Sequence, residues 1–302
     1  MTKHLTKMSD LSKPDILKIL DLADQLKSEQ KQGKASQPLK GKTLAMIFQK
    51  ASTRTRVSFE TGMYQLGGQA LFLSASDLQM GRGEPIEDTA RVLGRYVDGI
   101  MIRTFAQKDV EDLAKWSGIP VINGLTDYDH PCQILADLMT IREYKGKLDG
   151  LKLAFVGDGN NVCNSLVIGG LTCDMKVSVA VPEGHEPHAD VLNFTKKYPN
   201  TFELVRDPAK AAADADVLVT DVWASMGQEE EAKARQKTLS NYQINKALMA
   251  HAKPDAIVLH CLPAHREEEI TTEIFEAHAS SIMDEAENRL HAQKAVMAML
   301  MK

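Results

Sequence analysis

The chain has 302 residues, enough for two domains that each bury a core of their own, and hence for a cleft between them. Its 36 Lys and Arg stand against 41 Asp and Glu, a net charge of −5, which excludes the broad basic field used in non-specific nucleic-acid binding. No apolar run approaches the ~20 residues that span a bilayer, the N-terminus MTKHLTKMSDLSKP has no signal-peptide core, and Cys132, Cys163, Cys173 and Cys261 form no C-x-x-C pair, so a soluble cytoplasmic protein with reduced thiols is expected.

Short runs rich in Val, Ile and Leu alternate with amphipathic stretches, the pattern of an α/β chain built on parallel sheets. The first strand is expected at Thr43–Phe48. It runs into QKASTRTRVSFETG, where Phe59, Met63 and Leu66 mark one face of a helix that stops at Gly67-Gly68. Ser52 or Thr53 would cap this helix, and Arg54 and Arg56 add positive charge at the end where free N–H groups and the dipole attract anions. An ordinary capped helix with solvated arginines fits the same segment, and the missing Gly-x4-Gly-Lys pattern argues against a P-loop. The strand expected at Gln69–Leu73 is followed by Gln79, and the one at Gly99–Ile102 by Arg103. The strand at Pro120–Asn123 leads to DYDHPCQ, in which Pro131 suits a first helical turn, His130 can donate to a carbonyl oxygen, and Gln133 can both donate to and accept from an amide.

The polar stretch EYKGKLDG, Glu143 to Gly150, is the expected domain boundary, giving domains 1–146 and 147–284, with a helical tail of about 285–302 packing back on the first. Strands follow at Leu151–Val156, Lys176–Val181, Phe202–Val205, Val217–Thr220 and Ala256–Leu259. After the first of these, FVGDGNNVCNSL begins like a dinucleotide fingerprint but has Val162 or Cys163 where a third glycine would help packing; Asn160 and Asn161 suit a polar substrate group instead. Asp221, in TDVWASMGQEEE, can partner a cationic ligand or serve as a cap. In VLHCLPAH, Cys261 can be a buried thiol, a nucleophile beside His260, or a metal ligand; the metal reading is least favoured, because adjacent His260 and Cys261 are not expected to converge.

These unusual polar residues all follow strands, and ligands of open α/β sheets bind beyond the carboxyl ends of strands, so one shared site facing a cleft is expected. STRTR, HPCQ, DGNN, DVWASMG and HCLP, in this order, resemble the signature segments of the carbamoyltransferases, and DVWASMG is similar to their ornithine branch; DLQMGRGEPIEDTARVLGRYVDGIMIRTF and ENRLHAQKAVM extend the resemblance over nearly the whole chain. The resemblance implies two α/β domains, each a mainly parallel sheet flanked by helices, with carbamoyl phosphate held mainly by the first and ornithine mainly by the second, no metal or organic cofactor, and a homotrimer or a multiple of trimers. It implies that Ser52, Thr53, Arg54 and Thr55 bind the phosphate, that Arg103, His130 and Gln133 engage the carbamoyl group, and that Gln79 reaches a neighbouring subunit's site. It also implies that Arg289 closes over carbamoyl phosphate, that Cys261 and Leu262 lie where the substrates meet, and that Asn161, Asp221, Ser225 and Met226 hold ornithine. Two departures stand out: Glu267, where many relatives have glycine, and Gln49, where glutamate is common.

Overall fold

In the computed structural model, which describes residues 3–224 and 232–302, the chain divides into two units, Met1–Met139 with Asn288–Lys302, and Thr140–Glu287. In the first, β1 (Thr43–Phe48), β2 (Gln69–Ser74), β3 (Gly99–Arg103) and β4 (Val121–Leu125) form a parallel sheet in the order β2-β1-β3-β4. Its helices are α1 (Lys13–Lys31), α2 (Thr53–Gln65), α3 (Ile86–Tyr96), α4 (Gln107–Trp116) and the start of α5 (Pro131–Lys145). Ala45, Ile47, Ile100, Ile102 and Val121 make one core with Ala90 of α3 and with Val110 and Leu113 of α4. Strands buried on both faces read as unbroken apolar runs, which is why β1, β3 and β4 were visible in the sequence.

The order of strands decides where a site can form. Between β1 and β3 the sheet is built outward in opposite directions, so the loops that follow these two strands diverge and leave a crevice at their carboxyl ends. At its far edge β4 is covered by the N-terminal segment: Leu5 N–H donates to Val121 O at 2.9 Å and Leu5 O accepts from Asn123 N–H at 2.8 Å. The opposite edge, β2, keeps Leu71 and Phe72 exposed. Helix α2 ends as the glycine pair requires: Gly67 has φ 83°, its N–H reaches Tyr64 O at 3.0 Å, and Gly68 N–H reaches Met63 O at 2.9 Å, a Schellman termination.

In the second unit β5 (Lys152–Val156), β6 (Lys176–Ala180), β7 (Phe202–Val205), β8 (Val217–Thr220) and β9 (Ile257–His260) pair in parallel in the order β7-β6-β5-β8-β9. The helices here are α6 (Asn161–Thr172), α7 (Ala189–Thr195), α8 (Pro208–Ala212), α9 (Ala232–Leu239), α10 (Lys246–Met249), α11 (Thr272–Ala277) and the first part of α12 (Ala279–Leu300). The reversal of strand order falls between β5 and β8, beside DGNN and Asp221. Every strand expected from the sequence is present, with ends shifted by at most two residues. The chain passes between units within α5 and within α12, and Glu143–Gly150 runs from the end of α5 to the approach of β5. Among the described residues, no helix is long and apolar enough to cross a membrane.

Helices α3 and α4 meet so closely at Gly94 that a Cβ there would sit 1.9 Å from the carbonyl oxygen of Ser117, the C-cap of α4. That oxygen is backbone and cannot rotate away. Gly94→Ala should therefore destabilise the protein by about 1–3 kcal/mol or more through overpacking, read as a lowered thermal midpoint, whereas Arg95→Ala at the exposed neighbouring position should leave it nearly unchanged.

Candidate active site

The first set of candidate residues gathers at the reversal between β1 and β3. Ser52 caps α2, its Oγ accepting the Thr55 N–H at 3.2 Å, while the remaining N–H groups of the first turn have no intrahelical acceptor. Arg289 of α12, only 3% exposed, donates from Nη2 to Thr55 Oγ1 at 3.2 Å, from Nη1 to Gln133 Oε1 at 2.8 Å and from Nε to Gln293 Oε1 at 3.0 Å. Gln293 passes the chain on to Ser58 Oγ at 2.7 Å, and Gln133 donates to Asp137 Oδ1 at 2.8 Å. A carboxamide carries both an acceptor and two N–H groups, the pairing an amide ligand needs.

His130 lies directly before α5 and is 4% exposed. Burial, then the charges of Arg289, Arg103 and Arg54, hold its pKa well below the ordinary 6.5. The three guanidinium charges thus act on one imidazole in the same sense as its burial, and both favour the uncharged ring. Arg103 ends β3 at a register shift, where Ile102 pairs with Asn123 but Arg103 with Leu125, the kind of irregularity that re-aims a side chain. Cys132, beside them, is pushed up to about 12 by burial and is an inert thiol.

The second set gathers at the reversal between β5 and β8. Asp221 follows β8 and is buried; its Oδ2 accepts from Asn160 Nδ2 at 2.7 Å, and its Oδ1 from the Cys261 thiol at 3.0 Å and the Val222 N–H at 2.8 Å. Asn160 also caps α6, its Oδ1 accepting the N–H groups of Val162 at 3.0 Å and Cys163 at 3.1 Å, which places buried Asn161 at the helix start. Beyond β9 the chain turns at Leu262, whose φ of 59° is left-handed, and the Leu262 N–H donates back to His260 Nδ1 at 2.9 Å. This turn corrects the expectation that His260 and Cys261 diverge: one atom each from Asp221, His260 and Cys261 lies within 4.8 Å of the others. All three are already bonded within the protein, so a metal would have to displace those bonds.

Ser52, Arg54, Thr55, Arg103, His130, Gln133 and Arg289 thus belong to the first set, with Thr53 exposed at the helix start; Asn161, Asp221, Cys261 and Leu262 belong to the second. Gln79 is exposed on the short turn Gln79–Arg82 after β2, and Ser225 and Met226 lie outside the described residues. Arg56 turns away, its Nε bonded to Glu60 Oε1 at 3.0 Å and its guanidinium stacked 3.8 Å from the Phe72 ring centroid. Glu267 has φ 70°, a backbone region that favours glycine, and its Oε1 accepts the Thr272 N–H at the start of α11 at 2.8 Å. Gln49, the other departure, bonds backbone to Arg103 O at 2.9 Å and has Oε1 2.5 Å from Thr104 Oγ1. Sequence reasoning missed one supporting residue, Gln293, marked only by lying one turn beyond Arg289, while Asn160, expected to suit a polar substrate group, caps α6 and holds Asp221.

Residues 3–143 match the model of the aspartate/ornithine carbamoyltransferase carbamoyl-P binding domain, and residues 149–300 that of the family's Asp/Orn binding domain. The chain is 58% identical over 303 aligned positions to the ornithine carbamoyltransferase of Carboxydothermus hydrogenoformans, covering 99% of this chain and 97% of that protein. Among solved structures, ornithine carbamoyltransferase from Pyrococcus furiosus superposes with a TM-score of 0.94 at 55% identity, covering 99% of this chain and 96% of that one. The anabolic ornithine carbamoyltransferase from Campylobacter jejuni does so with a TM-score of 0.94 at 42% identity, covering 99% of both.

The lowered pKa of His130 has a definite sign in stability. Near pH 6.5 the unfolded chain takes up a proton at this residue and the folded protein does not, so this contribution is whole above about pH 6.5 and is lost as pH falls toward the lowered value. His130→Asn should flatten the fall in thermal midpoint between about pH 7 and pH 5. On the unmodified protein, nitrogen NMR should show a neutral ring at pH 6; an imidazolium signal there would mean that the three guanidiniums do not converge on it.

Proposed function

The chain belongs to the aspartate/ornithine carbamoyltransferase family, and on that premise we propose how its residues transfer the carbamoyl group of carbamoyl phosphate to the δ-amine of L-ornithine, giving L-citrulline and phosphate. The observation that carries the assignment is the donor cluster at the start of α2, where buried Arg289 is bonded to Thr55 and Gln133 beside the Ser52 cap and buried His130. Such a cluster of fixed donors suits a small polyanion bearing one carbonyl to be polarised. The first domain, residues 1–146 with the helix 285–302, holds carbamoyl phosphate, and residues 147–284 hold ornithine.

Ser52, Thr53, Arg54 and Thr55 grip the phosphate through hydroxyls, guanidinium and backbone N–H groups. Arg103 and His130, with Thr55, stabilise the oxyanion that forms when the amine attacks, a role in which losing one donor typically lowers turnover by about 100 to 1000-fold. Gln133 binds the carbamoyl amide, and Arg289 holds Thr55 and Gln133 in place as carbamoyl phosphate binds. Asn161 and Asp221, with Ser225 and Met226, hold ornithine, and Cys261 and Leu262 border the reacting carbon. Because the Cys261 thiol donates to Asp221, it acts in positioning the amine and forms no covalent intermediate. Holding both substrates in register supplies the other large share of the rate.

Ornithine is favoured over other acceptors because buried Asp221, anchored by neutral donors, is suited to an ammonium group. We also assign a homotrimer or a multiple of trimers, in the cytoplasm and in arginine biosynthesis. Support for the assembly comes from the open β2 edge, where Val57, Leu71 and Phe72 are exposed near the segment that carries Gln79; in the trimer Gln79 completes a neighbour's site. The direction is supported by the anabolic relatives from Pyrococcus furiosus and Campylobacter jejuni.

Arg54→Ala should weaken carbamoyl phosphate binding, measured by calorimetry, by about 100-fold or more, in line with the loss of charge-assisted hydrogen bonds; near-normal binding would remove Arg54 from the phosphate site. Mixing separately inactive Arg54→Ala and Gln79→Ala chains under conditions of subunit exchange should restore part of the citrulline formation, because some sites then combine one intact Arg54 with one intact Gln79. No recovery in demonstrably mixed trimers would place Gln79 outside the site.

A further inference from the structure

The turn after β9 is held by a chain of hydrogen bonds that runs from Glu269 through His260 to the backbone of Leu262. His260 and Glu269 are buried, at 1% and 0% exposure. The Leu262 N–H donates to His260 Nδ1 at 2.9 Å, and a ring nitrogen that accepts carries no proton, so the single ring N–H sits on Nε2. Nε2 lies 3.0 Å from Glu269 Oε1, and the same oxygen accepts the His265 N–H at 2.6 Å. The other oxygen, Oε2, is buried without a hydrogen-bond partner. From the far side, Glu285 Oε2 accepts the backbone N–H of His260 at 2.7 Å. The chain therefore ends at Leu262, a residue in a left-handed backbone region that side-chain-bearing residues seldom adopt.

We propose that Glu269 is a positioning residue: through its Oε1 it holds His260 as the Nε2–H tautomer, so that Nδ1 captures the Leu262 N–H and sets the Cys261–Leu262 step of the site. The inference rests on the role proposed above for Cys261 and Leu262. It differs from an ion pair, because an imidazolium would carry a proton on Nδ1 and direct it at the Leu262 N–H. One oxygen of Glu269 makes both bonds and the other makes none, so the proposal assigns the role to the acceptor at that place. This is the arrangement by which carboxylates fix histidine tautomers beside functional groups.

Two pairs of variants separate these readings. Glu269→Gln keeps an acceptor at Oε1 and should retain kcat within about fivefold, while Glu269→Leu should lose about 100-fold, the scale expected when a reacting group is displaced by ~1 Å. At His260, Asn can still accept the Leu262 N–H and should stay within about tenfold, whereas Gln reaches Glu269 but not Leu262 and should fall about 100-fold. Carbamoyl phosphate binding by calorimetry should change by less than tenfold in all four, placing the loss in turnover rather than in phosphate capture. Should the Leu variant fail to fold, nitrogen NMR of the unmodified protein decides the point: a neutral ring protonated at Nε2 is expected. A doubly protonated ring, protonation at Nδ1, an equal loss in Glu269→Gln and Glu269→Leu, or equal activity of His260→Asn and His260→Gln would each overturn the inference. Citrulline formation by the unmodified protein is scored separately, so failure of the inference leaves the assigned reaction standing, and failure of that reaction leaves the tautomer measurable.

Discussion

A permanent charge buried to 3% exposure, the guanidinium of Arg289, is the constraint around which the first half of the site is arranged. Such a group does not shed its proton, so its burial is tolerable only where its N–H groups find acceptors. Gln293, Gln133 and Thr55 provide them, from α12, α5 and α2 respectively. Each acceptor is thereby located by the other two, and the start of α2 becomes a rigid donor array rather than a frayed helix end. The imidazole of His130 bears the consequence: burial first, and then the charges of Arg289, Arg103 and Arg54, disfavour its protonated form.

The second half solves the opposite problem. There the buried group is a carboxylate, Asp221, and its donors are an amide, a thiol and a backbone N–H, none of which carries charge. Neutral donors orient a carboxylate without cancelling it, so Asp221 keeps a negative field for a cationic ligand. Asn160 serves twice, capping α6 with its oxygen and holding Asp221 with its nitrogen, which couples the helix start to the strand end across the reversal between β5 and β8. The first set is thus arranged around positive charge and the second around a carboxylate, which supports the proposed division of labour between a polyanion and an amino-acid ammonium group.

Much of this was legible in the sequence, for identifiable reasons. Parallel strands buried on both faces are continuous apolar runs, and the polar residues that interrupt the pattern at the ends of Thr43–Phe48, Gly99–Arg103, Val217–Thr220 and Ile257–His260 fall at the two reversals of strand order or beside them. The capping of α2 by Ser52 and its stop at Gly67 follow from local chemistry alone. Arg56 was the ambiguous member of STRTR, although residues two apart on a helix do not share a face; with Arg54 turned to the site, Arg56 is directed to Glu60 and Phe72. Strand order was not legible, because it depends on pairing between distant segments, and with it went the partnership of Arg289 with Thr55 and Gln133, 234 and 156 residues away. Glu267 shows the opposite failure: its side chain binds the start of α11, while its left-handed backbone is one for which glycine is better suited.

The charges that keep His130 neutral also constrain the proton that leaves ornithine. Attack by the δ-amine on the carbamoyl carbon releases one proton, and an imidazole is the usual acceptor in acyl transfer. Here that acceptor would become an imidazolium among three guanidiniums, the state those charges already oppose. Asp221 is no simple alternative, since its oxygens accept from Asn160, Cys261 and Val222 and, in the proposed reaction, its charge holds the ammonium group. The leaving phosphate is different: phosphoesters have a second pKa of about 6, and the oxygen released when the carbamoyl bond breaks gains basicity as it departs. A proton delivered there, directly or through water, assists departure while the arginines retain the dianion's other oxygens. In the proposed reaction, the burial and guanidinium charges that disfavour an imidazolium at His130 thus make the leaving phosphate the terminus of proton transfer.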